Sequence, residues 1–362
     1  MSQRFSALKG KRVFVTGHTG FTGSWACIWL NQIGCEVFGY SLAPETNPNL
    51  YTEARVGTLV SGKLADIRDY ETLREEIVRF QPDLVLHLAA QPLVRKSYLI
   101  PRETFEINAQ GTANVLEAIR GVESIKGVLC ITTDKVYKNL ETGHKYLETD
   151  ELGGQDPYSA SKAAAELIIA SFRSSFGNKV DGAPIISVAR GGNIIGGGDW
   201  SEDRIIPDFI RAFEAKRSLE VRFPNSTRPW QHVISLVDGY LSILEGMMGN
   251  QASKFDQAFN LGPLDSGAVT VSELLSKLSR NITGVSIVEG TAEFHEAGKL
   301  GLDSSLANST FGWSPRWSTD DVISETAIWY KEFLKGHTSA LDLCRVQIES
   351  WCNNRKTNFG VV

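Results

Sequence analysis

The run Val13-Phe14-Val15-Thr16-Gly17-His18-Thr19-Gly20-Phe21-Thr22-Gly23 decides the fold, because it sets a short apolar strand, a glycine turn and a helix start in that order. The helix continues as an amphipathic segment through Leu30. Glycine permits a tight turn, and backbone N–H groups at a helix N-terminus can approach a pyrophosphate there. Gly17, Thr19, Gly20, Phe21, Thr22 and Gly23 are therefore expected to bind a dinucleotide. Outward from this turn, strands are expected at 36–40, 58–64, 83–90, 127–132 and 185–190. Helices lie between them, one over 70–80 and another containing Asn108. Such alternation predicts an α/β fold with a Rossmann-like doubly wound parallel sheet.

Beyond Arg190 the pattern changes to Gly191-Gly192-Asn193-Ile194-Ile195-Gly196-Gly197-Gly198-Asp199-Trp200, too glycine-rich for core and read as a shaped loop. We expect a dinucleotide-binding domain over 1–190 and about 233–262, with Phe259-Asn260-Leu261 returning to the sheet. A smaller α/β substrate-binding domain is expected over about 191–232 and 263–336, with helices at 271–279 and 319–334. A tail helix follows within 337–362, whose stripe of Leu341, Cys344, Ile348 and Trp351 suits a packing face or a subunit contact.

The second strand ends in Ser41-Leu42-Ala43, without the acid that commonly grips the adenosine ribose, and its first acid is Glu45. No arginine stands there for a 2′-phosphate, so NAD is the expected cofactor rather than NADP. Asp66-Ile67 can approach the adenine amino group, or Asp66 can cap the helix that follows. The small residues of Leu88-Ala89-Ala90 leave room for the cofactor beside the chain.

Thr132 to Lys162 gathers the groups able to run redox and acid–base chemistry. Thr133, Asp134 and Lys135 fall at the C-terminal end of a buried strand, where ligands of such sheets bind. Asp156-Pro157 starts a helix as N-cap and first residue, which puts Tyr158 and Lys162 on one face. A phenol titrates near ~10 and is a poor base unless a fixed cation favours the phenolate. Lys162 is expected to be that cation. Arg204 and Arg228 are candidates for a ligand diphosphate, although either alone is more commonly a surface charge.

The composition, 42% hydrophobic and 22% charged over 362 residues, suits a globular chain. Net charge is -5 and the basic residues are dispersed, which argues against nucleic acid as a partner. No apolar run approaches the ~20 residues of a membrane span, and Met1 to Lys11 lacks a signal-peptide core, so a cytoplasmic location is expected. The five cysteines have no metal-like spacing and no histidines pair at i, i+4, so no metal is expected.

The glycine turn, the Thr133-Asp134-Lys135 strand end and the Tyr158/Lys162 pair together resemble the extended short-chain dehydrogenase/reductase family, in its sugar-nucleotide dehydratase branch. Asp134-Lys135, the stretch Asn193 to Asp208 and Arg228-Pro229-Trp230-Gln231-His232 are similar to the members that act on CDP-glucose. The resemblance implies an NAD-dependent hydro-lyase that forms a 4-keto-6-deoxy sugar nucleotide, feeding 3,6-dideoxyhexoses of bacterial surface polysaccharide such as the lipopolysaccharide O-antigen. By the same resemblance, Thr133 and Tyr158 act on the 4-hydroxyl, Lys135 is the base at carbon 5 and Asp134 the acid at carbon 6. Asn108 joins the cofactor contacts, and Gln91, Asn193, Arg204, Arg228, His232 and His295 the substrate contacts. Pairing through helices near 103–120 and 158–175, as a homodimer or homotetramer, is also implied. Two other readings stay open at this stage: a nucleotide-sugar 4-epimerase or 4-reductase on the same scaffold, and a non-catalytic NAD-binding regulator.

Overall fold

The computed structural model describes residues 4–177, 182–263, 269–290, 300–355 and 357. Seven parallel strands form the central sheet: β1 (Arg12–Thr16), β2 (Glu36–Ser41), β3 (Ser61–Leu64), β4 (Leu84–His87), β5 (Gly127–Thr133), β6 (Ile185–Gly191) and β7 (Ala258–Leu261). Their spatial order is 3-2-1-4-5-6-7. The order reverses between β1 and β4, and ligands of open α/β sheets bind at such a reversal.

Strand alternation sorts side chains onto two faces. Val13 and Val15 of β1 enter one core with Trp25 and Leu30 of α1 (Phe21–Ile33) and Leu236 and Leu244 of a later helix, Val233–Met247. Phe14 faces the other way, stacked on Phe38 with ring centroids 5.5 Å apart. Its core includes Leu73 and Ile77 of α2 (Tyr70–Phe80), Val115 and Leu116 of α3 (Gly111–Ile119) and Ile169 of α4 (Pro157–Phe176). Helices thus cover both faces, which a parallel sheet needs because neither of its faces tolerates water.

Val233–Met247, now α5, leads into β7 as expected, and α6 (Thr319–Lys335) and α7 (Ala340–Cys352) close the first core. Cys344, Ile348 and Trp351 of the expected stripe are buried there, Leu341 packs partly buried against the same core, and Trp351 meets Trp317 edge to face at 5.0 Å. The tail stripe is therefore a packing face within the chain. The third strand starts at Ser61 rather than Thr58, because Val56–Thr58 forms a 3-10 turn. Among the described residues no helix is long and apolar enough to cross a membrane.

Candidate active site

At the C-terminal ends of the strands lies a cleft of about 1370 Å³, larger than the ~300–1,000 Å³ that holds one small ligand. Gly17, Thr19, Gly20, Phe21, Thr22 and Gly23 line one end, with Asp66, Ile67, Leu88, Ala89 and Ala90 beside them. The residues present suit a dinucleotide. Gly17 has φ +77°, and a Cβ there would lie 2.7 Å from the Ala89 nitrogen. No side chain caps α1 at Gly20, so its first N–H groups are left for a ligand.

At the adenosine end, Thr19 Oγ1 lies 2.9 Å from Ser41 Oγ and donates to the Leu42 carbonyl at 2.8 Å. Asp69, not Asp66, caps α2. The Asp66 carboxylate lines the cleft and accepts from the Arg68 backbone at 2.9 Å and its guanidinium at 2.6 Å.

The cleft floor carries Thr133, Asp134, Lys135, Tyr158 and Lys162 together. The start of α4 follows the expectation: Asp156 accepts from the Ser159 N–H at 2.9 Å, and Pro157 is the first helical residue. Tyr158 and Lys162 are both buried. Asp134 and Lys135 sit in a 3-10 turn, Asp134–Val136, directly after β5. Thr133 Oγ1 donates to Asp134 Oδ1 at 3.0 Å, and Tyr158 lines the same cleft floor. Gly192 leaves room for this carboxyl, since a Cβ there would lie 3.2 Å from Asp134 Oδ2.

Burial dominates the electrostatics. It raises Asp134 above the ordinary carboxylate range, against the opposing charge of Lys135, the Thr133 hydrogen bond and the charge of Arg228. This is the direction a proton donor needs. Burial also pushes Tyr158 up to about 12, opposed by the neighbouring Thr133 hydroxyl, and pushes Lys162 down to about 8. Lys162 Nζ donates to the Ile131 carbonyl at 3.1 Å.

Of the expected substrate contacts, Gln91, Asn193, Arg204 and Arg228 line the cleft. Arg204 is paired with Asp199 at 3.0 Å. The Gln91 side chain is committed to its own loop, donating to Thr104 Oγ1 at 3.0 Å and accepting from the Leu93 N–H at 2.6 Å. His232 is corrected: it is fully buried outside the cleft, wedged between Trp25 and Trp317, and caps α5 by accepting from Ile234 N at 3.2 Å. Burial takes it down to about 3, so it stays neutral. Asn108 is also displaced from its expected role. It lies behind the cleft wall and ties the Gln91 backbone to Ser161 Oγ at 2.9 Å. His295 falls outside the described residues.

The sequence reading missed other groups. Arg95 lines the cleft and reaches Asp203 at 2.5 Å, and Tyr240 of α5 lines it fully buried. Beneath the floor, Glu166 and Arg190 form a buried ion pair at 2.5 Å. Its sequence signal was the third position of the stripe Tyr158, Lys162, Glu166 on α4. No group of His, Cys, Asp and Glu able to hold a metal occurs among the described residues.

With a dinucleotide turn and a Tyr/Lys pair in one cleft, the chain defines a sheet-end oxidoreductase-type site, and residues 13–262 match the NAD dependent epimerase/dehydratase family. The chain belongs to that family, and its cofactor is NAD. It is 43% identical over 335 residues to CDP-glucose 4,6-dehydratase of Salmonella typhimurium, covering 91% of this chain and 92% of the relative. It is 25% identical to a probable dTDP-glucose 4,6-dehydratase of Sinorhizobium fredii, covering 89% and 93%. The fold is shared with the dTDP-glucose 4,6-dehydratase of Streptomyces venezuelae, at a TM-score of 0.77 and 23% identity over 89% of this chain and 97% of the other.

Proposed function

We propose that the chain dehydrates CDP-glucose to CDP-4-keto-6-deoxyglucose in an internal redox cycle. The observation that carries this reading is that Thr133, Asp134, Lys135, Tyr158 and Lys162 line one floor, continuous with the glycine turn. The proton on carbon 5 of a hexose is not acidic, but a ketone at carbon 4 turns the carbanion into an enolate. When bound, NAD supplies the acceptor for the carbon 4 hydride, the donor that returns it to carbon 6, and a positive ring charge that favours the tyrosinate. Tyr158 takes the 4-hydroxyl proton, with Thr133 bonded to the same oxygen and Lys162 holding the nicotinamide ribose. Lys135 then removes the carbon 5 proton, and Asp134 protonates the departing 6-hydroxyl, which leaves as water. A solvent-derived proton returns to carbon 5 as hydride reaches carbon 6.

In this reading residues 1–190 and about 233–262 carry the cofactor, and about 191–232 and 263–336 the sugar nucleotide. Arg204 and Arg228 serve the diphosphate, and Gln91 and Asn193 shape the sugar pocket. Two copies pair through 103–120 and α4, a surface that leaves Phe105, Leu167 and Phe176 exposed at 39%, 64% and 41%.

The test is incubation with CDP-glucose in deuterated water. Product lighter by one water, with one deuterium at carbon 5 and no accumulating reduced cofactor, is the expected result. Dehydration of a different sugar nucleotide would overturn the substrate alone. Turnover that keeps the 6-hydroxyl would point to a 4-epimerase or 4-reductase.

A further inference from the structure

Two consecutive residues at the end of β5, Ile131 and Thr132, are each held by one residue of a single stripe on α4, and the next, Thr133, lines the cleft beside the first residue of that stripe, Tyr158. The Ile131 carbonyl accepts from Lys162 at 3.1 Å. Thr132 Oγ1, next in the strand after Ile131, donates to Glu166 Oε1 at 2.6 Å. Glu166 does not end the chain of contacts. It accepts a fork from Arg190, Nε at 2.8 Å and Nη2 at 2.5 Å. The remaining guanidinium nitrogen, Nη1, donates to the Tyr137 hydroxyl at 2.6 Å and the Glu148 carbonyl at 3.0 Å. Tyr137 in turn donates to Asn260 Oδ1 at 2.7 Å, and Asn260 is fixed by Glu148 Oε1 at 2.7 Å and the Tyr146 carbonyl at 2.8 Å.

The network therefore grips the chain just before Thr133 and just after Val136, on both sides of the turn that carries Asp134 and Lys135. A buried ion pair is a poor source of stability, since an apolar replacement of similar volume is often neutral or better. Its better-attested use is to specify one arrangement. Here every member bonds to an end of the same turn, or to a residue that does.

We infer that Glu166, Arg190 and Tyr137 are positioning residues for the elimination half of the reaction. They hold the Asp134–Val136 turn against the Tyr158 face, so that the groups serving carbons 5 and 6 meet a sugar already placed for oxidation at carbon 4. The inference rests on the dehydration proposed above. It separates two half-reactions: Tyr158 keeps its own helix, whereas Asp134 and Lys135 depend on the network.

The test uses Tyr137→Phe, which keeps the ring and its packing 4.9 Å from the guanidinium carbon and removes only the hydroxyl between Arg190 and Asn260. With CDP-glucose, oxidation at carbon 4 persists while elimination slows by about a hundredfold, the cost of an ångström-scale misplacement. Reduced cofactor then accumulates during turnover, and deuterium enters carbon 5 more slowly than in the wild type. Thr132→Val breaks the opposite end and gives the same pattern, whereas Thr132→Ser, which keeps the hydroxyl, restores wild-type behaviour. Uniform slowing without reduced cofactor, or unchanged rates in both Tyr137→Phe and Thr132→Val, would overturn the inference. If the wild type dehydrates no sugar nucleotide, the functional reading itself falls and this inference with it.

Discussion

Gly23→Ala tests the dinucleotide site through a clash that the structure fixes in size. A Cβ on Gly23 would lie 2.0 Å from the Gly17 carbonyl oxygen, 2.8 Å from its carbon and 2.9 Å from His18 Cα. All three are backbone atoms, so no side chain can rotate aside. Ordinary contact begins near 3.4 Å, and the turn must retreat by about 1.4 Å. It has little freedom to do so: the Gly17 N–H is bonded to the Tyr40 carbonyl at 2.9 Å, and the Gly17 carbonyl holds the Gly20 N–H at 3.1 Å. Such a retreat takes at least one turn amide out of hydrogen-bond range of a pyrophosphate. A hydrogen bond to a charged group contributes roughly 1.5–3 kcal/mol, so NAD affinity should fall about 10- to 100-fold. Overpacking should also cost about 1–3 kcal/mol of stability. Gly20→Ala is the comparison, because its nearest protein atom is 3.4 Å away and its φ of -74° suits alanine. That variant keeps the wild-type melting temperature, so any loss of affinity there reports the approach of the cofactor itself. Calorimetric titration with NAD and thermal melting of both variants provide the assay. Wild-type affinity and stability in Gly23→Ala would refute the reasoning.

Lys135→Ala should retain NAD binding while dehydration falls by about 10²- to 10⁴-fold, the usual worth of a general base; wild-type turnover would remove Lys135 from that role. Asp238 is buried beside Arg4, and burial raises its carboxyl from 3.8 to about 6 despite that partner. The folded chain therefore holds this proton more tightly than the unfolded one. The contribution, about 3 kcal/mol, is fully present below the unfolded value and lost as pH rises through about 6. Asp238→Asn should remove that slope, lowering the melting temperature at pH 4 relative to that at pH 7 by about 4 °C compared with the wild type, and an unchanged difference would reject it. Trp351→Ala should cost about 3–5 kcal/mol, because the indole is fully buried against Trp317. Melting should drop by several degrees, and a shift below about one degree would show that the tail does not hold the core.

The sheet, the glycine turn and the start of α4 were legible because each is written in neighbouring residues: strand alternation, glycine spacing, an Asp-Pro cap. His232 was misread for the same reason. Arg228-Pro229-Trp230-Gln231-His232 reads as a polar binding segment, yet burial is settled by Trp25 and Trp317, on elements remote in sequence. Asn108 failed likewise, its partners Gln91 and Ser161 standing 17 and 53 residues away. The Tyr158 and Lys162 spacing gave proximity but not direction. Only the structure shows that Lys162 also donates to the Ile131 carbonyl and that burial is the largest influence on the phenol.

Why Tyr158 and Lys162 were visible and Glu166 was not follows from how the helix meets the sheet. In a βαβ unit the helix returns antiparallel to its strands, so its first turn stands at their C-terminal ends, where ligands bind. Each further turn descends about 5.4 Å beneath that edge. Tyr158, in the first turn, therefore reaches the cleft, and Lys162, one turn down, reaches its floor. Glu166 is a turn deeper and meets protein alone: Thr132 on β5 and Arg190 on β6. A side chain at that depth cannot touch a ligand, so no chemical motif marks it, and its pairing depends on an arginine 24 residues away. It can act only by fixing the strand end above it. The same stripe that gives the site its phenol and its ammonium thus continues into the part of the core that sets where Asp134 and Lys135 stand.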